Sequence, residues 1–305
     1  MRIDKFDLPK RGGGLLVDKP VGPTSHDVVK WTRKVLGTRR VGHTGTLDPF
    51  ASGLLILLFG PATRLAEYLS CLPKTYEASA RLGIRTDTHD SQGRVIEPLG
   101  NWEMIGRNDL FSELMRFQGK IKEVPPQFSA KKISGEAMYK KARRGEKVEL
   151  DPVVVEIFDI QLTAFDPPEF SFEVTCSAGT YIRALARDLG ESLGVGAHLI
   201  SLRRTCVGDF SVEKANPGNI LREGRIPNSN QWIEAAEMIC HLPSLRVDTD
   251  VASQLRQGCI IQFPESDLKY ENHIAVIDDI GLLGIAEMRD GELVPKKILQ
   301  GPVKS

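Results

Sequence analysis

The segment Gly42-His43-Thr44-Gly45-Thr46-Leu47-Asp48-Pro49 sets an imidazole, two hydroxyls and a carboxylate among turn-forming residues, immediately before the apolar run Leu54 to Leu58. A carboxylate on a tight turn anchored by a core strand can be held at a fixed place. If it stays ionised and partly shielded from water, it can act as a nucleophile or stabilise positive charge. An Asp-Pro after glycines also reads as an Asx-turn, so a chemical role needs a cation beside Asp48 that favours its ionised form. Arg183, in "AGTYIRALARDLG", is a candidate because its fork matches a carboxylate and it opens a helix that follows a strand. It reads equally as a solvated first-turn residue. His43 reads first as a satisfied loop histidine, and Tyr76 and Tyr181 as packing residues.

Those groups need elements to position them. Leu15-Leu16-Val17 reads as a short strand that stops at Asp18-Lys19-Pro20, because proline cannot donate to a ladder. Pro23-Thr24-Ser25 opens a helix capped by Thr24 or Ser25, with Val28, Val29, Trp31, Val35 and Leu36 on its buried side and Gly37 at its end. Tyr76, Ala78, Ala80 and Leu82 alternate with Glu77, Ser79 and Arg81, the period of a strand with one buried face, and Phe170 to Cys176 repeats the pattern. Thr180 to Leu193 reads as a helix ended by Gly194. Strands and helices follow one another without regular βαβ spacing, which predicts an α+β fold with a mixed sheet flanked by helices.

Two regions interrupt this pattern. Residues 124–152 are bounded by prolines and rich in Lys and Arg, and read as a protruding basic arm with one weakly amphipathic helix near Gly135 to Arg144. The solvated reading of that arm is a charged insertion. Turn residues cluster over Pro217 to Asn230, and beyond Pro243 come short β-like runs at Ile274–Ile277, Leu283–Met288 and Leu293–Ile298, with Asp290-Gly291 a hairpin signal. The expected division is a larger domain over 1–240 and a small β domain over 241–305.

Composition limits the chemistry. Five cysteines lie far apart with no Cys-x-x-Cys pair, and six histidines form no metal-binding spacing, so neither a disulfide framework nor a metal site is expected. No window reaches the roughly eighteen apolar residues of a membrane span, and the first residues start no secretory signal, which makes the cytoplasm the expected address. The net charge is zero, yet residues 1–48 carry ten Lys and Arg against five acids, and residues 120–150 carry nine against four. Residues 241–305 carry seven against ten. A polyanion would still find a basic face. Neutral overall charge and one main core point to a monomer.

The motifs "LLVDKPVGPTSHDVV", "RVGHTGTLDPFASGLL", "KTYEASARLGIRTDTHDSQG", "PPQFSAKKISGEAMYKKARRGE" and "CSAGTYIRALARDLGESLGVGAHLISLRR" resemble the bacterial tRNA pseudouridine-55 synthases, the TruB family, over most of residues 12–210. The stretches "LPSLRVD" and "RQGCII" are similar to the small PUA domain, a β-barrel, often attached to that family. The resemblance implies a pseudouridine synthase fold with a mostly antiparallel mixed sheet. It also implies isomerisation of a uridine in the T-arm of tRNA, with no cofactor and no metal.

By the same resemblance Asp48 is the catalytic aspartate, Arg183 pairs with it, and Tyr76 stacks on the target base and stands where the C5 proton leaves. A tyrosine needs a lowered pKa or a partner to act as that base. His43 would fill the space left by the flipped base, Tyr181 and Leu202 would wall the pocket, and Lys19-Pro20 would brace the catalytic loop. The arm residues Lys131, Lys132, Lys140, Lys141, Arg143 and Arg144 would meet RNA phosphates. Two other functions are open: an RNA-binding folding helper of tRNA without catalysis, and a guide-RNA-dependent synthase acting on other RNAs. A glycosidase would need two carboxylates about one bond, and the sequence nominates one.

Overall fold

The computed structural model describes residues 8–98, 100–127, 132–133, 136–137, 144, 150–225, 232–263 and 273–299. The chain opens with β1 (Gly13–Lys19), α1 (Ser25–Leu36), β2 (Val41–His43), β3 (Ser52–Phe59) and β4 (Lys74–Leu82). It continues through α2 (Arg107–Met115), β5 (Gly119–Glu123), β6 (Val153–Asp166), β7 (Glu169–Cys176), α3 (Ile182–Ser192) and β8 (Ala197–Val207). These strands join one mixed sheet in the order β1-β3-β8-β4-β7-β6-β5, with β2 on the outer part of β3. Most neighbours are antiparallel; β8 runs parallel to β3 and antiparallel to β4.

The helix α1 has the expected cap at Thr24, whose side chain and that of Asp27 bond each other's backbone, and it ends at Gly37 with φ +64°. Ser25 is left free for another role. The continuous apolar run of β3 is buried on both faces. Leu55, Leu57 and Phe59 enter the main core with Leu15 and Val17, while Leu54, Ile56 and Leu58 enter a second cluster with Leu16, Leu65 and Leu69. β4 is covered on one face only. Tyr76, Ala78, Ala80 and Leu82 face the main core, and the other face carries hydroxyl pairs, Thr75 with Thr175 at 3.0 Å and Ser79 with Ser171 at 2.9 Å.

β3 and β8 approach closely where Gly53, at φ +103°, lies opposite Arg204. A side chain at position 53 would place its Cβ 2.2 Å from the Arg204 carbonyl oxygen, so only glycine fits. The pairing of β8 therefore continues directly into the start of β3, next to the 42–49 turn.

In the C-terminal region β9 (Ser244–Arg246), α4 (Thr249–Arg256), β10 (Ile261–Gln262), β11 (His273–Asp278), β12 (Gly281–Arg289) and β13 (Glu292–Ile298) make a second sheet, ordered β9-β11-β12-β13-β10 among the described residues. The hairpin signal is correct: Asp290 and Gly291 both have positive φ and join β12 to β13. This sheet has its own small core around Leu255, Val276, Leu283 and Leu293. It also places Ala275, Leu282, Ile285 and Leu299 in the cluster formed by Leu54, Ile56 and Leu58. Arg11 grips Asp278 through both guanidinium nitrogens, at 2.7 and 2.6 Å, and Arg256 reaches the same carboxylate.

The arm differs from expectation in one described detail. Lys132–Ile133 pairs with Glu136–Ala137 as two short antiparallel strands, where a helix from Gly135 was expected. Glu136 and Ala137, placed inside the expected helix, are spent on that pairing instead. Lys140, Lys141 and Arg143 of the expected helix lie outside the described residues, as does Lys131.

Candidate active site

The 44–49 turn is held from several sides. The Thr44 N–H donates to the Ile56 carbonyl at 3.1 Å, and the Ala51 N–H closes the turn on the Asp48 carbonyl at 3.1 Å. From α1, the Ser25 hydroxyl accepts the Leu47 N–H at 2.8 Å and donates to the Leu47 carbonyl at 3.0 Å. Arg204, on β8 and 2% exposed, donates from Nε to the Leu54 carbonyl at 2.7 Å and from Nη2 to the Gly45 carbonyl at 3.1 Å. Lys19 is fully buried, and its Nζ donates to the Pro20 and Pro23 carbonyls at 2.9 Å each, while the Gly22 N–H donates to Pro49 O at 2.8 Å. The catalytic candidate is thus fixed by backbone bonds and by two buried cations, with little freedom left in the turn.

Arg183, on the first turn of α3, sets its Nε 2.9 Å from Asp48 Oδ2. The same guanidinium donates through Nη1 to the Thr88 carbonyl at 2.9 Å and lies 3.4 Å from Asp90 Oδ2. Asp90 is itself fixed, since its Oδ1 accepts from Thr88 Oγ1 at 2.7 Å and from the Gln92 N–H at 3.0 Å. Arg183 therefore lies between two carboxylates, one buried and one reaching the cavity. Asp48 keeps about a third of its side chain exposed, 35%.

Burial raises the Asp48 pKa above the usual carboxylate range; the Arg183 guanidinium opposes this, Asp90 adds to it and Lys19 opposes it. The open third of the side chain tempers the burial contribution, and the 2.9 Å contact with a permanent cation keeps the ionised form dominant near neutrality. Lys19 is brought down to about 8 by burial, against the pull of Asp48.

A cavity of about 310 Å³ opens beside this pair, at the lower end of the ~300–1,000 Å³ typical of small-ligand sites. Asp48, Tyr76, Tyr181, Arg183 and Leu202 all line it, together with the cations Lys74 and Arg204. Five of the sequence candidates meet there. Tyr76 is pushed up by burial, the Arg204 guanidinium opposing, so its phenol holds its proton at neutral pH. This departs from the lowered pKa that a base at this position requires.

His43, at the end of β2, is outside the cavity lining; burial keeps its imidazole neutral, and its Nδ1 has no partner among the described residues. Lys19 and Pro20 are likewise outside the cavity lining. Arg144 is exposed on the arm.

Sequence reasoning missed Asp90, Arg204 and Ser25. Arg204 left a usable signal, a charged residue at a core-facing place on a strand. Asp90 left none beyond its place in a turn-rich run.

Solved structures share this fold. The chain superposes on one chain of an H/ACA RNP bound to a substrate RNA containing 2'-deoxyuridine, with a TM-score of 0.72 at 22% identity over 98% of this chain and 92% of that one. It also superposes on a Cbf5-Nop10-Gar1 complex, at 0.71 and 24% over 95% and 85%. Both likenesses set the class of fold.

Sequence narrows the class. Residues 33–182 match the TruB family pseudouridylate synthase N-terminal domain, and residues 183–218 match the tRNA pseudouridylate synthase B C-terminal domain. The tRNA pseudouridine synthase B of Aquifex aeolicus is 38% identical over 94% of this chain and 99% of that protein. That of Azoarcus sp. is 38% identical over 96% and 97%, and that of Prochlorococcus marinus 41% over 88% and 85%. The chain belongs to the TruB family of pseudouridylate synthases, a family of isomerases.

Proposed function

We propose that this chain isomerises a uridine in the T-arm of tRNA, position 55, to pseudouridine. The observation that carries the reading is the Asp48–Arg183 contact of 2.9 Å opening into a cavity lined by Tyr76. The reaction breaks the bond between uracil N1 and ribose C1′, forms the bond from C5 to C1′, releases the C5 proton and gives N1 a proton from solvent, so the product is an isomer with no change of oxidation state. Asp48 acts at the sugar–base junction as the anionic group, and Arg183 holds it ionised and aimed. Tyr76 presents its ring to the base as a neutral phenol. A stacked uridine cannot present that bond to a carboxylate on a rigid turn, so the nucleotide is flipped out, at a cost of a few kcal/mol. Tyr181 and Leu202 then wall the base, and His43, at the end of β2, fills the gap in the RNA.

The residues of the arm, among them Lys131, Lys132, Lys140, Lys141, Arg143 and Arg144, bind phosphates without reading sequence. In this reading 1–240 is the catalytic unit and 241–305 a PUA-like RNA-binding unit, working as a monomer in the cytoplasm where tRNA is matured. The acidic balance of 241–305 makes its affinity for RNA weak on its own.

Protein incubated with a T-arm transcript tritiated at uridine C5 will release tritium, and Asp48→Asn will bring release to background while RNA binding stays near wild type. Release by the Asn variant at the wild-type rate would exclude Asp48 from the chemistry.

A further inference from the structure

Glu123 ends β5 with no exposed surface. Both of its carboxyl oxygens accept from the Tyr181 backbone N–H, each at 3.1 Å. Tyr181 is the residue that precedes α3, and it brings no side-chain cap of its own. The N–H groups at a helix start lack partners within the helix and are ordinarily met by a local Ser, Thr or Asp. Here the acceptor comes from another strand, 58 residues earlier in the chain.

The same junction is tied at further points. Arg187 Nη2 donates to the Val124 carbonyl at 3.1 Å. On the neighbouring strand β6, the Glu156 carbonyl accepts the Ser177 N–H at 2.8 Å, and the Glu156 N–H donates to Ser177 Oγ at 2.9 Å. The segment fastened in this way runs straight into Gly179-Thr180-Tyr181-Ile182-Arg183, which forms one wall of the cavity. Arg183 is two residues beyond the N–H that Glu123 holds. Displacing the start of α3 would move the Arg183 Nε relative to Asp48 Oδ2.

Capping alone does not account for the choice of residue. A fully buried carboxyl is costly in free energy, and the charges acting on Glu123 come from Arg187 and Asp188, whose effects oppose each other. A group kept at that cost, pointing at the first N–H of the helix that carries Arg183, serves placement.

We propose that Glu123 is a positioning residue for the isomerisation: through the Tyr181 N–H it fixes the start of α3, and so the aim of Arg183 and the Tyr181 wall at Asp48. This rests on the reading of Asp48 and Arg183 as the reacting pair.

The experiment measures single-turnover tritium release at saturating T-arm RNA and, separately, the Kd for that RNA, for the wild type, Glu123→Ala, Glu123→Gln, Glu123→Asp and Asp48→Asn. Glu123→Ala should lower the rate about tenfold or more, since small misplacements of reacting groups carry penalties of that size, with Kd close to wild type. Glu123→Gln keeps an oxygen able to accept the Tyr181 N–H and should recover most of the loss. Wild-type turnover in Glu123→Ala, or a loss carried entirely by Kd, would overturn the proposal. So would an equal loss in Ala and Gln. If the Ala variant does not fold, Glu123→Asp decides: the shorter carboxyl should slow turnover without weakening binding, and unchanged turnover overturns the proposal. Asp48→Asn separates the two levels of the argument. Full activity there would remove the reacting pair itself, whereas its loss alongside an active Glu123→Ala would remove only the part given to Glu123.

Discussion

The two halves of the central sheet are built differently. β1 and β3 are covered on both faces, by the main core on one side and by the cluster shared with the C-terminal sheet on the other. β4, β7 and β6 bury one face and leave serines, threonines and charged residues on the other. The 44–49 turn grows from the doubly covered half, and the cavity opens where that half meets β4 and β8. In the proposed reaction Asp48 must hold its place while a nucleotide enters, and it is attached to the half of the sheet that is packed on both faces. The one-sided half supplies the ring of Tyr76 and a face that can remain wet.

Arg204 is where the comparison can be broken most severely, because it joins the halves, pairing with β3 and β4 and donating to carbonyls of the turn. Arg204→Met should cost about 3 kcal/mol or more in unfolding free energy, since each buried acceptor left unpaired costs about 1–3 kcal/mol. It should also slow tritium release about a hundredfold through the displaced turn. A variant with native Tm and rate would show that the turn does not depend on this clamp.

Next comes a matched pair of truncations. Leu57→Ala, in the doubly covered strand, should lower stability by about 2–5 kcal/mol. Val154→Ala, on β6 and 67% exposed, should stay within about 0.5 kcal/mol. Denaturant titration of the two would erase the distinction between the halves if the losses were equal.

The smallest effect concerns pH. Burial pushes the Glu123 carboxyl up from its ordinary 4.5 to about 8, the Tyr181 N–H opposing. The folded protein therefore holds a proton that the unfolded chain releases, so this group's contribution to stability is complete below about 4.5 and is lost as pH rises toward 8. Glu123→Gln cannot titrate. Its unfolding free energy relative to wild type should improve between pH 6 and pH 8, by at most about 1.4 kcal/mol per pH unit. Parallel pH profiles for the two proteins would place the proton elsewhere.

The strands and helices nearest the site were legible because each carried one clear period. β4 and β7 alternate strictly, α1 is bracketed by its Thr24 cap and Gly37, and α3 lies between Gly179 and Gly194. The 14-residue strand β6 was not legible, since two register shifts against β7, after Ile157 and after Leu162, break its alternation. At the site, Asp48 and Arg183 could be nominated because a carboxylate and a fork-shaped cation have complementary chemistry. Asp90, Arg204 and Glu123 could not be paired with their partners from the sequence. Each acts across more than 50 residues on a backbone atom or on a charge already engaged, and no local pattern records that kind of contact.

The outward side of β3, through Leu54, Ile56 and Leu58, is roofed by Ala275, Leu282 and Ile285 of the last sheet, with Arg11 locked onto Asp278 as a latch. The tail of this enzyme is therefore no detachable handle. A lineage could shed it only by repainting the hydrophobic back of β3 with polar residues.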